Sequence, residues 1–131
     1  MNCDDIKILA LLYNMTVNSC VSYVLTCDVY FESKEEEQEG IAKLLKIKND
    51  LDNRLATQIQ DLCIKNKVTL TLGTYKEEYT ELNYLSYKFI KDYIKKDFEN
   101  DVSKFNEMVE SFNLSQGVKE LVSRINDIKL F

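Results

Sequence analysis

Apolar positions recur at helical spacing along nearly the whole chain, and the first such stretch is also the least charged. From Ile8 to Cys27 there is no charged residue. One apolar stripe runs Ile6, Leu9, Tyr13, Cys20, Val24, Cys27 and Phe31; a second runs Ile8, Leu11 or Leu12, Met15, Val21 and Leu25. Apolar groups on more than one face predict a helix enclosed on more than one side. Asp4 or Asp5 is the expected cap, since a helix start favours a carboxylate. The β-branched tail "VSYVLTCDVYF" is also compatible with a strand.

A lipid span needs about 20 predominantly apolar residues, but Asn14, Thr16, Asn18, Ser19, Ser22 and Thr26 interrupt this run. An export signal needs a basic start, whereas this chain opens Met-Asn-Cys-Asp-Asp. The expectation is therefore no membrane, with protein surrounding the helix.

The second helix is plainer. Ser33 is its expected cap, and Glu35, Glu36 and Glu37 fill the first turn. Ile41, Leu44, Lys48, Leu51, Leu55, Ile59 and Leu62 follow at threes and fours. In "KVTLTLGTY" the period falls to two, which predicts an extended connection. From Tyr75 to Phe112 the helical pattern returns, through Tyr79, Leu82, Leu85, Phe89 and Tyr93, then Ile94, Phe98, Val102, Phe105 and Val109. The stripe slips by one position near "YIKKD", which predicts a kink or split between Lys95 and Asn100. Val118, Leu121, Val122, Ile125 and Ile128 make the last helix, with Ser115 as its cap.

Long helices with single apolar stripes and short connections define an all-α fold, read as one domain over residues 1–131 and as an antiparallel (up-down) four-helix bundle with the third helix kinked or split. The absence of proline and the mere three glycines strengthen that reading, because an all-β chain needs turn residues every few positions. If three partners do not cover the first helix, its second stripe (Ile8, Leu12, Met15, Val21 and Leu25) is the expected interface with a second copy or a protein partner.

Chemistry is constrained by what is missing. The chain has no histidine, so Ser-His and Cys-His nucleophile pairs and mixed Cys/His zinc sites cannot be built. No catalytic residue and no cofactor is expected. A net charge of −5 argues against a sequence-independent grip on nucleic acid. The lysines at Lys88, Lys91, Lys95 and Lys96 read as a solvated face, balanced by Asp92, Asp97 and Glu99. Cys3, Cys20, Cys27 and Cys63 form no Cys-x-x-Cys pair and read as small hydrophobes in a reducing, cytoplasmic setting. In an exported protein they would instead make two disulfides.

The order and spacing of these elements resemble the ferritin-like superfamily, nearest to small bacterial members whose third helix is preceded by a shorter helical segment. "DFENDVSKFNEMVES" resembles their acidic third-helix segment, and "VKELVSRINDIKLF" their closing helix. The resemblance implies a bundle core able to hold metal through Glu and Glu-x-x-His. Here those ligands are not matched, and no metal is expected. The alternative is a carboxylate-only site, for which Glu36-x-x-Glu39 and Glu107-Met-Val-Glu110 have the nearest spacing. The sequence reading is thus a non-catalytic, acidic, homodimeric bundle acting through protein contacts.

Overall fold

The structure, a computed structural model, describes residues 1–26, 31–32, 35–71, 73–82 and 85–127. The expected caps at Ser33 and the residues from Ile128 onward lie outside that set. The class is all-α. Helix α1 is Cys3–Val17 and α2 is Cys20–Thr26; α3 is Glu35–Lys65, α4 is Tyr87–Glu110 and α5 is Gln116–Asn126. A 3₁₀ helix, Glu77–Leu82, precedes α4. Two-residue strands β1, Phe31–Glu32, and β2, Leu85–Ser86, pair in parallel.

Helix α1 starts one turn earlier than expected. Asn2 is its cap, accepting the Asp5 N–H at 2.8 Å, while the Asp5 carboxylate accepts the Asn2 N–H at 3.1 Å. That reciprocal pair satisfies two of the donors a helix start leaves open. The first helix does not run unbroken to Cys27. It stops at Asn18, and α2 departs at 42° because Ser19 turns its hydroxyl to the Ser22 N–H at 3.1 Å, capping a new helix instead of continuing the old one.

Helix α3 is the longest, about 46 Å by its 31 residues. It closes where Lys67 enters the left-handed region at φ 56°. The Val68 N–H then bonds Cys63 O at 2.9 Å and the Lys67 N–H bonds Ile64 O at 3.2 Å, a Schellman closure in which glycine is the unstrained occupant. Lys67→Gly is expected to raise the unfolding free energy by about 1 kcal/mol, read as a higher urea midpoint at unchanged slope.

The third helix is split, but not between Lys95 and Asn100. Helix α4 runs without a break from Tyr87 to Glu110, and the 3₁₀ helix Glu77–Leu82 and strand β2 precede it as separate elements. The slip near "YIKKD" has another origin, the polar positions Asp97, which is buried, and Asp101, which is partly buried beside it.

Strict up-down alternation is likewise not what the chain does. Strands β1 and β2 pair in parallel immediately before α3 and α4, so both helices leave that bridge in the same direction. The buried residues agree. Ile41 and Leu45 of α3, Ile90 and Ile94 of α4, Cys20, Val21 and Val24 of α2, and Tyr79 and Leu82 form one apolar cluster. Leu55, Ile59 and Cys63 of α3, Phe105 of α4, Ile8, Leu9 and Leu12 of α1, and Val118, Leu121, Val122 and Ile125 of α5 form the other. Helices α3 and α4 therefore run from the first cluster to the second, and α1 and α2 run from the second to the first. Helix α5 turns back along α4, its Asn126 amide bonding Asn106 at 3.2 Å.

Candidate functional site: a buried ionic layer

Between the two apolar clusters lies a belt of polar residues drawn from α1, the α1–α2 break, α3 and α4. Thr16, Ser19, Lys48, Asp52 and Asp97 are all buried, Lys48 to 2% exposure and Asp52 to 3%. Each sits where its helix pattern calls for an apolar group. On α3 the order is Leu45, Lys48, Asp52, Leu55; on α4 it is Ile94, Asp97, Asp101, Phe105. Burying a charge is costly unless it is paired and its remaining hydrogen-bonding capacity is met.

Both requirements are addressed locally. The Lys48 ammonium donates to Asp52 one helical turn away and lies 4.7 Å from the Phe98 ring centroid, where the ring face attracts a cation. The second Asp52 oxygen accepts the Ser19 hydroxyl at 3.1 Å. Ser19 thus caps α2 and ties it to α3 with a single oxygen. Across the layer, Asp97 accepts the Tyr79 hydroxyl at 2.6 Å and the Lys76 ammonium at 2.8 Å. Lys76 also reaches Asp101 at 2.8 Å. Tyr75 and Ser22 share a hydrogen bond of 3.0 Å, and Tyr23 packs edge-on to Tyr75 at 5.2 Å.

Burial dominates the electrostatics of the site. Burial pushes the Asp52 carboxyl above its ordinary range, against the opposing pull of Lys48 and the Ser19 hydroxyl. Burial likewise raises Asp101, with Lys76 pulling the other way. For Lys76 burial alone would lower the pKa, but the hydrogen bonds to Asp101 and Asp97 carry it upward. Burial and the Asp97 carboxylate raise the Tyr79 phenol, and burial with Glu78 raises that of Tyr93. Burial takes the Cys20 thiol to about 12, so it remains protonated at neutral pH and a poor nucleophile. A cavity of about 10 Å³ borders Ser19, Lys48, Asp97 and Asp101, room for roughly one water.

A carboxyl raised in the folded state favours folding most strongly below its unfolded value and loses that contribution as pH climbs through the raised one. For Asp52 the unfolded value is 3.8. Measured by urea denaturation, wild type is expected to gain stability relative to Asp52→Asn as the pH falls from neutrality toward 3.8. An unchanging difference across that interval would place Asp52 in water.

Among the residues expected at an interface, Ile8 and Leu12 are 0% exposed and Val21 is 1% exposed. The chain's own helices absorb that part of the stripe. Met15 is half-buried, and Leu25, at 44%, stands at the surface. Cys20 and Cys63 are buried as expected, Cys3 is exposed, and all three are free thiols; Cys27 lies outside the described residues. Glu107 and Glu110 are exposed, and the Glu36 side chain is not described. Asp97 does not balance the α4 lysines in solvent, being buried against Lys76. Tyr79 is 0% exposed, and its hydroxyl donates to Asp97. Among the described residues, no group of three or more cysteine and acidic side chains is placed to hold a metal ion.

The ionic layer itself was missed, although its signal was present. Lys48 falls inside the α3 apolar stripe with Asp52 four residues later, and Asp97 and Asp101 bridge the α4 stripe at the same spacing. A charge that interrupts an apolar stripe, with an opposite charge one turn away, marks a buried pair.

No described single helix is long and apolar enough to cross a membrane; α1 and α2 satisfy that test only when taken together across their bend. Compared with known proteins, the chain matches no family model, no curated protein and no solved structure.

Proposed function

We propose that the chain is a non-catalytic, ferritin-like helical bundle of the cytoplasm that works through protein contacts, as a homodimer. One observation carries this reading. The central ion pairs lie between two apolar clusters, with Lys48, Asp52 and Asp97 buried and Lys76 closing the layer from its edge, and they border a space about the size of a water molecule. Such a layer aligns helices and offers no room for a substrate. The connectivity supports the ferritin-like part, since one long crossover between the second and third long helices is how ferritin-like bundles are wired. Bulky apolar side chains on the outer faces, Ile64 at 75%, Ile47 at 57% and Phe89 at 52% exposed, supply material for protein contacts. Light scattering across micromolar concentrations tests the assembly: a dimer is expected, and a strict monomer throughout removes that part of the proposal.

The second reading is a carboxylate-only metal protein, favoured by the same crossover connectivity. Against it, the central acids Asp52, Asp97 and Asp101 already pair with Lys48 and Lys76. Elemental analysis of protein purified without chelators separates the two. Near-stoichiometric iron or manganese would replace the first reading with the second.

A further inference from the structure

The break between α1 and α2 contains neither proline nor glycine, the usual causes of a sharp helix bend. Its residues are Asn18 and Ser19, and the buried positions ignore it. Asp5, Leu9, Leu12, Thr16, Cys20 and Val24 keep a spacing of threes and fours straight across the gap, so one continuous helix from Cys3 to Thr26 would present the same inward face. The bend is held by a few polar contacts instead. The Asn18 amide donates to Gly73 O at 3.0 Å and to the Asn14 side chain at 2.6 Å, and Ser19 Oγ accepts the Ser22 N–H.

Straightening the 42° bend would carry the far end of the 15-residue α1 through about 16 Å, well beyond the 8–10 Å spacing of packed helices. Helix α1 cannot straighten and keep its own seat. The seat it leaves is lined by Leu55, Ile59, Phe105 and Val118, each at most 4% exposed with α1 in place, and it ends at the Ser115 N–H that binds Asp5. A surface of that shape, with a helix-end donor at one extremity, fits one occupant by construction: α1 of a second copy.

We propose that the homodimer forms by exchange of α1, with Asn18–Ser19 as the hinge and α1–α2 straightened into one helix that seats its N-terminal half on the partner. The proposal rests on the homodimer reading above and says how the dimer is made. Every contact α1 makes in one chain is remade between two, so only the hinge and concentration decide the balance, as in other exchanged elements. Because α1 must leave a closed core, the two forms interconvert slowly and are trapped by the conditions of refolding.

The test refolds the wild-type chain from urea at low and at high protein concentration and sizes the products by light scattering. A variant, Asn18→Ala with Ser19→Ala, is treated alike and checked for helicity by circular dichroism. It removes the contacts that hold the bend and raises helix propensity at both positions. Expected are monomer from dilute refolding, dimer from concentrated refolding, and a larger dimer fraction in the variant. Isotope-filtered NMR of a mixed-label dimer then shows contacts between α1 and α5 across chains. A wild-type dimer whose α1–α5 contacts stay within one chain overturns the exchange and leaves the homodimer standing. Wild-type monomer under every condition overturns both, whatever the variant does.

Discussion

Replacing Lys48 by methionine is expected to cost about 3–5 kcal/mol of unfolding free energy, because it strands a buried charge. Asp52 is 3% exposed, and its nearest cation is the Lys48 ammonium one turn away. Without it, the Ser19 hydroxyl is the remaining hydrogen-bond donor identified at that carboxylate. The size of the effect reports the unpaired buried carboxylate more than the strength of the pair. The double replacement Lys48→Met with Asp52→Leu discriminates between the two. Both desolvation costs vanish together, apolar groups of similar bulk join the flanking clusters, and the double variant is expected near wild type or above it. Urea denaturation of the two single variants and the double supplies the complete cycle. Singles that simply add would place Lys48 and Asp52 in solvent.

Asp5→Ala is the other large expected loss, on the order of 3 kcal/mol. This carboxylate is 0% exposed and stands at the junction of two helix starts. One oxygen accepts the Asn2 N–H and closes the α1 capping box; the other accepts the Ser115 N–H at 2.8 Å, at the head of α5. Hydrogen bonds to an ionised acceptor are each worth more than neutral ones, and alanine leaves both donors without it. Neighbouring Asp4 binds the Asn113 N–H at 3.0 Å, and the Asn2 amide binds Asn113 O at 3.1 Å, so the connection from α4 to α5 is stitched to the chain's first turn by three residues. Asp5→Asn retains an acceptor for one donor, and its loss is expected to be about half as large. Equal losses for the alanine and asparagine variants would show that the negative charge, rather than acceptor geometry, carries the stabilisation.

Both sites explain what could be read in advance. The all-α class and most of α3 follow from period alone, because Ile41, Leu45, Leu55 and Ile59 repeat over about five turns. Helix existence is a local property. What escaped was set by contacts between distant residues. The break at Asn18–Ser19 cannot be seen in a stripe that stays in register across it; Gly73 and Asp52, 55 and 33 positions away, hold it. The apparent kink in α4 was a polar pair, Asp97 buried and Asp101 partly buried beside it, which a stripe of apolar residues records only as a slip. Ser115 occupies the expected cap position at the head of α5, yet its side chain makes no cap bond and its N–H goes to Asp5 instead. The parallel course of α3 and α4, seen in the β1–β2 pairing and in the two clusters, could not be read in advance, because a connection of that length in sequence leaves direction open.

The interface stripe fell for a related reason. Ile8, Leu12 and Val21 were assigned outward because three partners were expected to leave α1 and α2 partly bare. The bend changes that account: it sends α2 to one cluster and α1 to the other, so each half finds its own cover. Most of the apolar surplus of α1 and α2 is consumed within the chain, with Leu25 left at the surface.

The most direct test of the ionic layer is nitrogen-15 NMR of the lysine ammonium groups at neutral pH. Solvent-exposed ammonium protons exchange too fast to be seen, whereas a buried and hydrogen-bonded ammonium persists. The structure predicts a persistent Lys48 Nζ signal that disappears in Lys48→Met. A spectrum with no such signal would put Lys48 in water and dissolve the layer.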